Sequence, residues 1–375
     1  MKVLITGTHF TPALAVIEEL KNISGTEIIY IGRLSTMEGD KTKSMESQIL
    51  NALSIKFIPI ISGRLQRSFS LQMFLSLLKI PIGFIQSIYY LLIEKPDVVL
   101  SMGGYISVPV IISSWLLSKP IIIHEQTLIP GLANKINSFF ADKIALSFPQ
   151  STPNKKNTIL TGNPLRKEIL DPGKIEDEEL KEFVSDAVKN KEPLILVTGG
   201  NQGSHIINQT VSKSLENIID KAYVVHQTGD SKYADFDKLT EQKKLLKNGR
   251  KYLVRKWISG DDWGFLLKKA DLAVSRAGIN TLLELAFYSV PTIAIPLPPN
   301  FNKEQSFNAD FFEDKGLVKS MSQNKLNEES LVKIISEVLS DLANNKKSAK
   351  QASTLIIPDA AKRLALEVII LAKKH

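Results

Sequence analysis

The sequence predicts an α/β protein of two domains, each alternating short apolar strands, glycine turns and helices. Three observations carry this. Short apolar runs ending in glycine alternate with stretches of helical spacing along most of the chain. Glycine-rich strand-to-helix turns occur in both halves, at Met102–Pro109 and at Thr198–Ser204, and again at Arg276–Gly278. A length of 375 residues is also more than one hydrophobic core usually serves.

Composition narrows the function. Hydrophobic residues make up 43% and charged residues 23%, the balance of a soluble globular protein. There is no cysteine, which removes disulfides, thiolate zinc sites and cysteine nucleophiles and fits a reducing compartment. The five histidines are scattered, with no H-x-x-x-H pair, so no metal centre is expected. A net charge of +8 and a pI near 9.2 point to an anionic partner such as a nucleotide, a membrane surface or nucleic acid. Nucleic acid is not favoured, because the basic residues are not interleaved with aromatic platforms. The opening apolar run Val3–Ile5 stops at Thr6-Gly7, too short for a secretory signal core of about 7–15 residues.

In chain order, Lys2–Ile5 reads as a strand and Gly7-Thr8-His9 as a tight turn. Pro12–Asn22 follows as a helix with Ala13, Val16, Ile17 and Leu20 on one face. Glu27–Ile31 completes an opening βαβ unit, and Phe57–Ile61 is another strand candidate. Arg64–Ile93 is unusual, since Lys79 is the one charge between Ser68 and Ile93. Its length suits a membrane span of ~20 residues. Pro81, Gly83, Gln72 and Gln86 argue against a span. The remaining readings are an apolar and basic face for an anionic interface, from Arg64, Arg67 and Lys79 beside Phe69, Phe74 and Phe84, or helices packed on the sheet. Val98–Ser101, Pro120–His124 and Lys143–Ser147 are strands, the last taken as the final strand of this half, and Val110–Leu117 and the stretch from Pro130 are helices.

The second alternation begins after a charged helix within Gly173–Lys191. Its strands are Pro193–Val197, Tyr223–His226, Lys251–Trp257 and Asp271–Ser275. Its helices start near Ile206, Trp263 and Ile279, with Glu328–Ala343 and Asp359–Ala372 at the end. Ala273–Asn308 organises this half. A helix entered through a glycine turn presents unpaired N–H groups and a partial positive charge, which suits a phosphate or pyrophosphate. Thr281 and Glu284, three apart, share a face of that helix, so the Glu284 carboxylate one turn in is placed to accept the hydroxyls of a ribose. The alternative is an ordinary βα unit with a solvated glutamate.

Six stretches stand in one order: S-M-G-G-Y-I-S-V-P from Ser101, H-E-Q-T-L-I-P-G-L-A-N-K from His124, T-G-N-P-L-R from Thr161, T-G-G-N-Q-G-S-H-I-I-N-Q-T from Thr198, S-R-A-G-I-N-T-L-L-E from Ser275 and K-E-Q-S-F-N-A from Lys303. In these, and in I-P-D-A-A-K-R from Ile357, the chain resembles the MurG family, the peptidoglycan N-acetylglucosaminyltransferases of the GT-B architecture. The resemblance runs nearly end to end. It implies two Rossmann-like domains whose parallel sheets face across a cleft. Residues 1–163 would bind acceptor and membrane, 164–345 would bind the UDP-sugar donor, and the helix of 346–375 would pack back on the first domain.

The resemblance also implies an inverting transfer of GlcNAc from UDP-GlcNAc to the C4 hydroxyl of undecaprenyl-pyrophosphate-linked MurNAc-pentapeptide, on the cytoplasmic face of the bacterial plasma membrane, without metal or cofactor. By family pattern, Glu284 holds the ribose diol, and Gly278, Ile279, Asn280, Thr281, Leu282 and Leu283 form the helix start near the pyrophosphate. Asn201, Gln202 and Gly203 form the other donor loop, while Arg166, Gln305 and the backbone of Ile258 match contacts to phosphate, sugar and uracil. Thr8, Tyr105, Thr127 and Asn134 match the acceptor side. His9 is the candidate base and Glu125 the second choice. Arg64–Phe84 is similar to the family's membrane patch. Two departures stand out: the first loop, Thr6-Gly7-Thr8-His9, is two residues shorter than the family's G-G-T-G-G-H, and Thr127 replaces the usual Asn.

The leaving UDP would place its growing charge on the helix-start N–H groups and Arg166. Two other functions share the glycine turns: a UDP-GlcNAc 2-epimerase, which would need no membrane face, and a non-catalytic UDP-sugar-binding homologue with an eroded first loop. A nicotinamide dehydrogenase is disfavoured because no G-x-G-x-x-G occurs.

Overall fold

A computed structural model describes residues 1–33, 45–63, 71–149, 157–200, 202–230, 232–299 and 303–374. The chain divides into two compact units, Met1–Arg166 with Ile357–His375, and Lys167–Ile356.

The first unit runs β1 (Lys2–Thr6), α1 (Phe10–Lys21), β2 (Glu27–Gly32), α2 (Met45–Ala52), β3 (Lys56–Pro59), α3 (Leu71–Glu94), β4 (Val98–Ser101), α4 (Ser107–Leu116), β5 (Ile121–Glu125), α5 (Leu132–Asn137), β6 (Lys143–Leu146) and β7 (Thr158–Leu160). The second unit runs α6 (Lys167–Leu170), α7 (Glu178–Asn190), β8 (Leu194–Thr198), α8 (His205–Ile219), β9 (Tyr223–Gln227), α9 (Asp235–Leu245), β10 (Tyr252–Arg255), α10 (Gly260–Lys269), β11 (Leu272–Ser275), α11 (Ile279–Phe287), β12 (Thr292–Ala294), α12 (Lys303–Asp314), β13 (Val318–Ser320), α13 (Glu328–Ser340) and α14 (Leu342–Ser353). The chain then returns to the first unit as α15 (Ala360–Lys374).

All pairings described are parallel. The first sheet has the order β3-β2-β1-β4-β5-β6-β7 and the second β10-β9-β8-β11-β12-β13. Parallel sheets need cover on both faces, and the strand period of two supplies it. In β1, Val3 and Ile5 join one core cluster with α1 and with Leu364, Val368 and Leu371 of α15. Leu4 between them joins the other, with Leu91 of α3 and Val110 and Ile111 of α4. Gly162 admits α15: at φ +85° a β-carbon there would lie 2.7 Å from Cβ of Ile357.

Several sequence expectations are corrected. Lys143–Ser147 is not the last strand of its half, because β7 follows and pairs with β6. β7 is short and half exposed, so it carries no apolar run to recognise. The Glu328–Ala343 stretch breaks at Asp341 into α13 and α14. Pro81 does not interrupt α3, a helix of 24 residues. Gly83 gives α3 its close approach to the loop after β3, since a β-carbon there would lie 2.6 Å from the Ile61 carbonyl oxygen.

Candidate active site

In doubly wound sheets, ligands gather beyond the strand C-termini where the strand order reverses. That point falls between β1 and β4 in the first sheet and between β8 and β11 in the second. The loops there are Gly7–His9 with Met102–Ile106, and Gly199–Ser204 with Arg276–Gly278, the glycine turns picked out in the sequence.

In the first unit the short opening loop is braced by backbone. Thr8 donates its N–H to the Gly103 carbonyl at 2.9 Å, and Met102 donates to Thr6 at 2.7 Å. Gly7, Gly103 and Gly104 all have positive φ, and a β-carbon on Gly104 would lie 2.0 Å from Oγ1 of Thr8. His9 is the N-cap residue of α1. A β-carbon on Gly103 would lie 3.3 Å from the His9 ring and 3.1 Å from the Asn134 amide, so one glycine holds these two side chains around it. Burial and, secondarily, the Arg33 guanidinium lower the His9 pKa to about 4, which leaves the imidazole neutral at pH 7. Arg33 in turn faces Glu46 at 3.6 Å.

His124 and Glu125 end β5 side by side. His124 Nε2 lies 3.2 Å from the Gly162 carbonyl, which can only accept, so Nε2 carries the proton. The lone pair is left on Nδ1, buried without a hydrogen-bond partner among the described residues. Burial lowers this histidine's pKa to about 4. Glu125 receives the Thr127 hydroxyl at 2.6 Å and N–H at 2.9 Å on Oε1, and the Asn134 amide at 2.9 Å on Oε2. Burial still raises its pKa against these donors. Thr127 thus orients Glu125, and Glu125 orients Asn134, whose amide oxygen is buried with no partner among the described residues. The Glu125 carboxyl thus collects at least three donors, whereas the His9 ring is neutral. Tyr105 packs against the α3 and α4 side of the core.

In the second unit, α11 begins at Gly278, which brings no capping side chain. The first-turn N–H groups of Ile279, Asn280 and Thr281 therefore lack intrahelical acceptors. The side chains of Ile279, Leu282 and Leu283 are buried, so these residues offer a ligand only backbone. Glu284, 6% exposed, accepts the indole N–H of Trp263 at 2.8 Å. Gly203, at φ +73°, lies against the turn after β9 so closely that a β-carbon would be 1.9 Å from the Thr228 carbonyl oxygen. The Ile258 N–H donates to the Gln227 carboxamide at 3.0 Å. The Gln305 carboxamide oxygen accepts from Leu297 N–H at 3.0 Å. The Asn308 amide donates to the Ala277 carbonyl at 3.0 Å, which ties α12 to the turn before α11. Burial lowers Arg276 to about 10, and its guanidinium donates to the Ile295 carbonyl.

The second unit thus gathers Gly203, Ile258, Gly278–Glu284 and Gln305 at strand C-termini, with Gln202 exposed in the β8 loop. Arg166 is the last residue of the first unit. Asn201 lies outside the described residues, as do Arg64–Ser70 of the expected membrane face. Sequence reasoning missed Trp263 and Gln227, which sit in no motif of their own, and the contact of Asn308, which lies in K-E-Q-S-F-N-A; each acts through another site residue. One D-x-D spacing exists, Asp235-Phe236-Asp237. Asp235 is engaged by His205 at 2.7 Å and the Asn208 amide at 2.9 Å. Among the described residues no group of three or more His, Asp or Glu is placed to hold a metal ion.

Two Rossmann-like units, each with glycine turns at its switch point and one with a carboxylate a turn into the following helix, define a nucleotide-sugar enzyme of the GT-B class. Residues 4–146 match the glycosyltransferase family 28 N-terminal domain and residues 194–364 its C-terminal domain. The UDP-N-acetylglucosamine--N-acetylmuramyl-(pentapeptide) pyrophosphoryl-undecaprenol N-acetylglucosamine transferase of Clostridium botulinum strain Hall is 35% identical over 339 residues, 88% of this chain and 89% of that protein. The crystal structure of Acinetobacter baumannii MurG superposes with a TM-score of 0.73 over 98% of this chain and 99% of its own, at 24% identity, a likeness of fold. A UDP-GlcNAc 2-epimerase from Neisseria meningitidis, bound to UDP-GlcNAc, shares the fold at TM-score 0.62 and 16% identity, over 99% of this chain and 100% of its own. The chain belongs to glycosyltransferase family 28 and, within it, to the MurG family.

Proposed function

We propose that this protein transfers GlcNAc from UDP-GlcNAc to the MurNAc C4 hydroxyl of the undecaprenyl-pyrophosphate-linked peptidoglycan precursor, with inversion. The observation that carries the donor half is the uncapped start of α11 at the second sheet's switch point, with the Glu284 carboxylate one turn in. Glu284 accepts the ribose hydroxyls, the N–H groups of 279–281 meet the pyrophosphate, and Ile258, Gln305 and the Asn201–Gly203 loop hold uracil and sugar. The acceptor half is the His9, Glu125, Thr127 and Asn134 cluster of the first unit, with Tyr105 following the Gly103-Gly104 turn. Thr8 closes the loop beside it.

In the reaction the acceptor hydroxyl attacks the anomeric carbon from the face opposite UDP. Its proton passes to the neutral His9 imidazole while the C–O bond to the diphosphate breaks. Charge that develops on UDP is met by the α11 start and Arg166, so the step needs no metal ion. The low His9 pKa of the unliganded protein makes a weak base. A bound acceptor brings a pyrophosphate, whose negative charge favours the imidazolium and raises that pKa toward the working pH.

Membrane association fits α3. Ile82, Ile85, Tyr89, Leu92 and Ile93 recur at helical spacing and are 43–68% exposed, while Gly83, Ser87, Leu91 and Glu94 on the other side are buried. Among the described residues no helix is long and apolar enough to cross a membrane. A row of exposed apolar side chains on a basic protein supports peripheral binding to an anionic lipid surface, on the cytoplasmic side where UDP-sugars occur. The epimerase reading has no use for such a face.

The test is a transfer assay with labelled UDP-GlcNAc and lipid-linked MurNAc-pentapeptide in the presence of EDTA. Disaccharide-lipid product is expected. Conversion of UDP-GlcNAc without acceptor would replace the proposal with the epimerase, and UDP binding without turnover would replace it with a binding homologue.

A further inference from the structure

Glu284 is held by a residue outside every recognisable motif. We propose that Trp263 is the positioning residue for the ribose-binding carboxylate, and that the turn carrying it couples recognition of the base to recognition of the ribose. The proposal rests on the reading of Glu284 as the ribose ligand.

The geometry is specific. Trp263 and Glu284 are each only 6% exposed, and the indole Nε1 lies 2.8 Å from Glu284 Oε2. An indole N–H can only donate, so Glu284 Oε2 is the acceptor and one oxygen of the side chain is fixed in place. The last torsion of a glutamate is otherwise broad. One fixed oxygen sets the plane of the carboxylate, and with it the direction of the remaining lone pairs.

Trp263 is in turn held at the start of α10. Its own N–H donates to the Ser259 carbonyl at 2.8 Å. The neighbouring Asp262 carboxylate accepts the Glu176 N–H at 2.8 Å and the Ser259 hydroxyl at 2.7 Å. The preceding Ile258, whose backbone is assigned to uracil, donates to Gln227 at 3.0 Å. Four residues therefore separate the proposed base contact from the side chain that orients the ribose contact, on a turn fixed at both ends. A shift of that turn moves both contacts together.

The test compares binding of UDP and 2′,3′-dideoxy-UDP by calorimetry. The wild-type protein is expected to prefer UDP by about tenfold or more, the effect of hydrogen bonds to a charged group. Glu284→Ala should abolish the preference. Trp263 is then replaced by 3-benzothienylalanine, which keeps the bicyclic shape and carries sulfur in place of the N–H. The preference should fall to about threefold or less with affinity for the dideoxy ligand unchanged. Trp263→Phe should move in the same direction, with its melting temperature as the control for folding. An intact preference in the isostere, or an equal loss for both ligands, overturns the positioning role. A wild-type protein without the preference, or a Glu284→Ala protein that keeps it, overturns the ribose reading itself.

Discussion

Gly200 and Gly203 flank one donor-loop turn and differ in one respect, which makes them a paired test of how that loop is built. Both are left-handed, at φ +81° and +73°. A β-carbon on Gly200 meets no described heavy atom within 4 Å, whereas on Gly203 it would lie 1.9 Å from the Thr228 carbonyl oxygen and 2.8 Å from its carbon. Alanine in a left-handed conformation costs roughly 1–2 kcal/mol. Stiffening the unfolded chain returns about 0.4–1 kcal/mol of that. Gly200→Ala should therefore lose about 0–1.6 kcal/mol. Gly203→Ala carries the same strain plus an overlap with backbone, which cannot rotate away as a side chain can. A further cost of about 1–3 kcal/mol follows from forced overpacking. For a unit of this size each kcal/mol corresponds to about 2–4 °C. The expected melting shifts of the second unit are thus up to ~6 °C for Gly200→Ala and about 2–18 °C for Gly203→Ala, the overlap alone adding about 2–12 °C. Only Gly203→Ala should also weaken UDP binding, because its loop must move off the turn after β9. Equal shifts for the two variants would show that the close approach of these loops is wrong.

Further outcomes follow from the assigned roles. Glu284→Ala should weaken UDP-GlcNAc binding strongly, and His9→Ala should leave binding nearly intact while abolishing transfer; calorimetry and turnover on both proteins check this, and equal damage to binding would refute the division of roles. His226, buried between Tyr252 and Asn208, has a pKa lowered by burial to about 3 from an ordinary 6.5. The unfolded chain binds this proton between those values and the folded chain does not. Stability of the second unit should hold above pH 6.5 and fall by up to about 1.4 kcal/mol per pH unit below it. Denaturant unfolding at pH 7.5 and 5.5 measures this, followed by fluorescence of the second unit's Trp257 and Trp263; equal stabilities would contradict a neutral His226. Glu125 is shifted the opposite way in the first unit, so the second unit is the cleaner place to look. Ile85 is 68% and Leu92 55% exposed, so the double change Ile85→Glu, Leu92→Glu should spare folding, within ~0.5 kcal/mol per site, while reducing sedimentation with anionic vesicles. Unchanged sedimentation would remove α3 from the membrane face.

The class of fold was legible in the sequence because it rests on local rules. Strands such as Val3–Ile5 and Val98–Ser101 are short, wholly apolar and stopped by glycine or serine, and their helices carry one buried stripe. β7 escaped because an edge strand needs only one covered side, so Thr158–Leu160 shows no apolar run. The break between α13 and α14 escaped because Asp341 and Leu342 fit a helical spacing even where the helix ends.

The candidate site divides along the same line. Glycine turns that need positive φ, and a carboxylate three residues past a threonine, are marks a sequence carries on its own. His9, Glu284 and the turns around them could be named from such marks and from family resemblance. The supporting contacts join residues far apart in the chain: Trp263 to Glu284, Gln227 to Ile258, Asn308 to Ala277. No periodicity encodes a partner 21 or 31 residues away. Protonation states are likewise tertiary. A histidine's letter is the same whether exposed or enclosed, and only burial among Gly162, Tyr252 or Arg33 made His124, His226 and His9 neutral. The sequence alone determined which chemistry was available and the strand ends that carry it; packing decided which groups are oriented, which are charged and which oxygen of Glu284 is held by an indole.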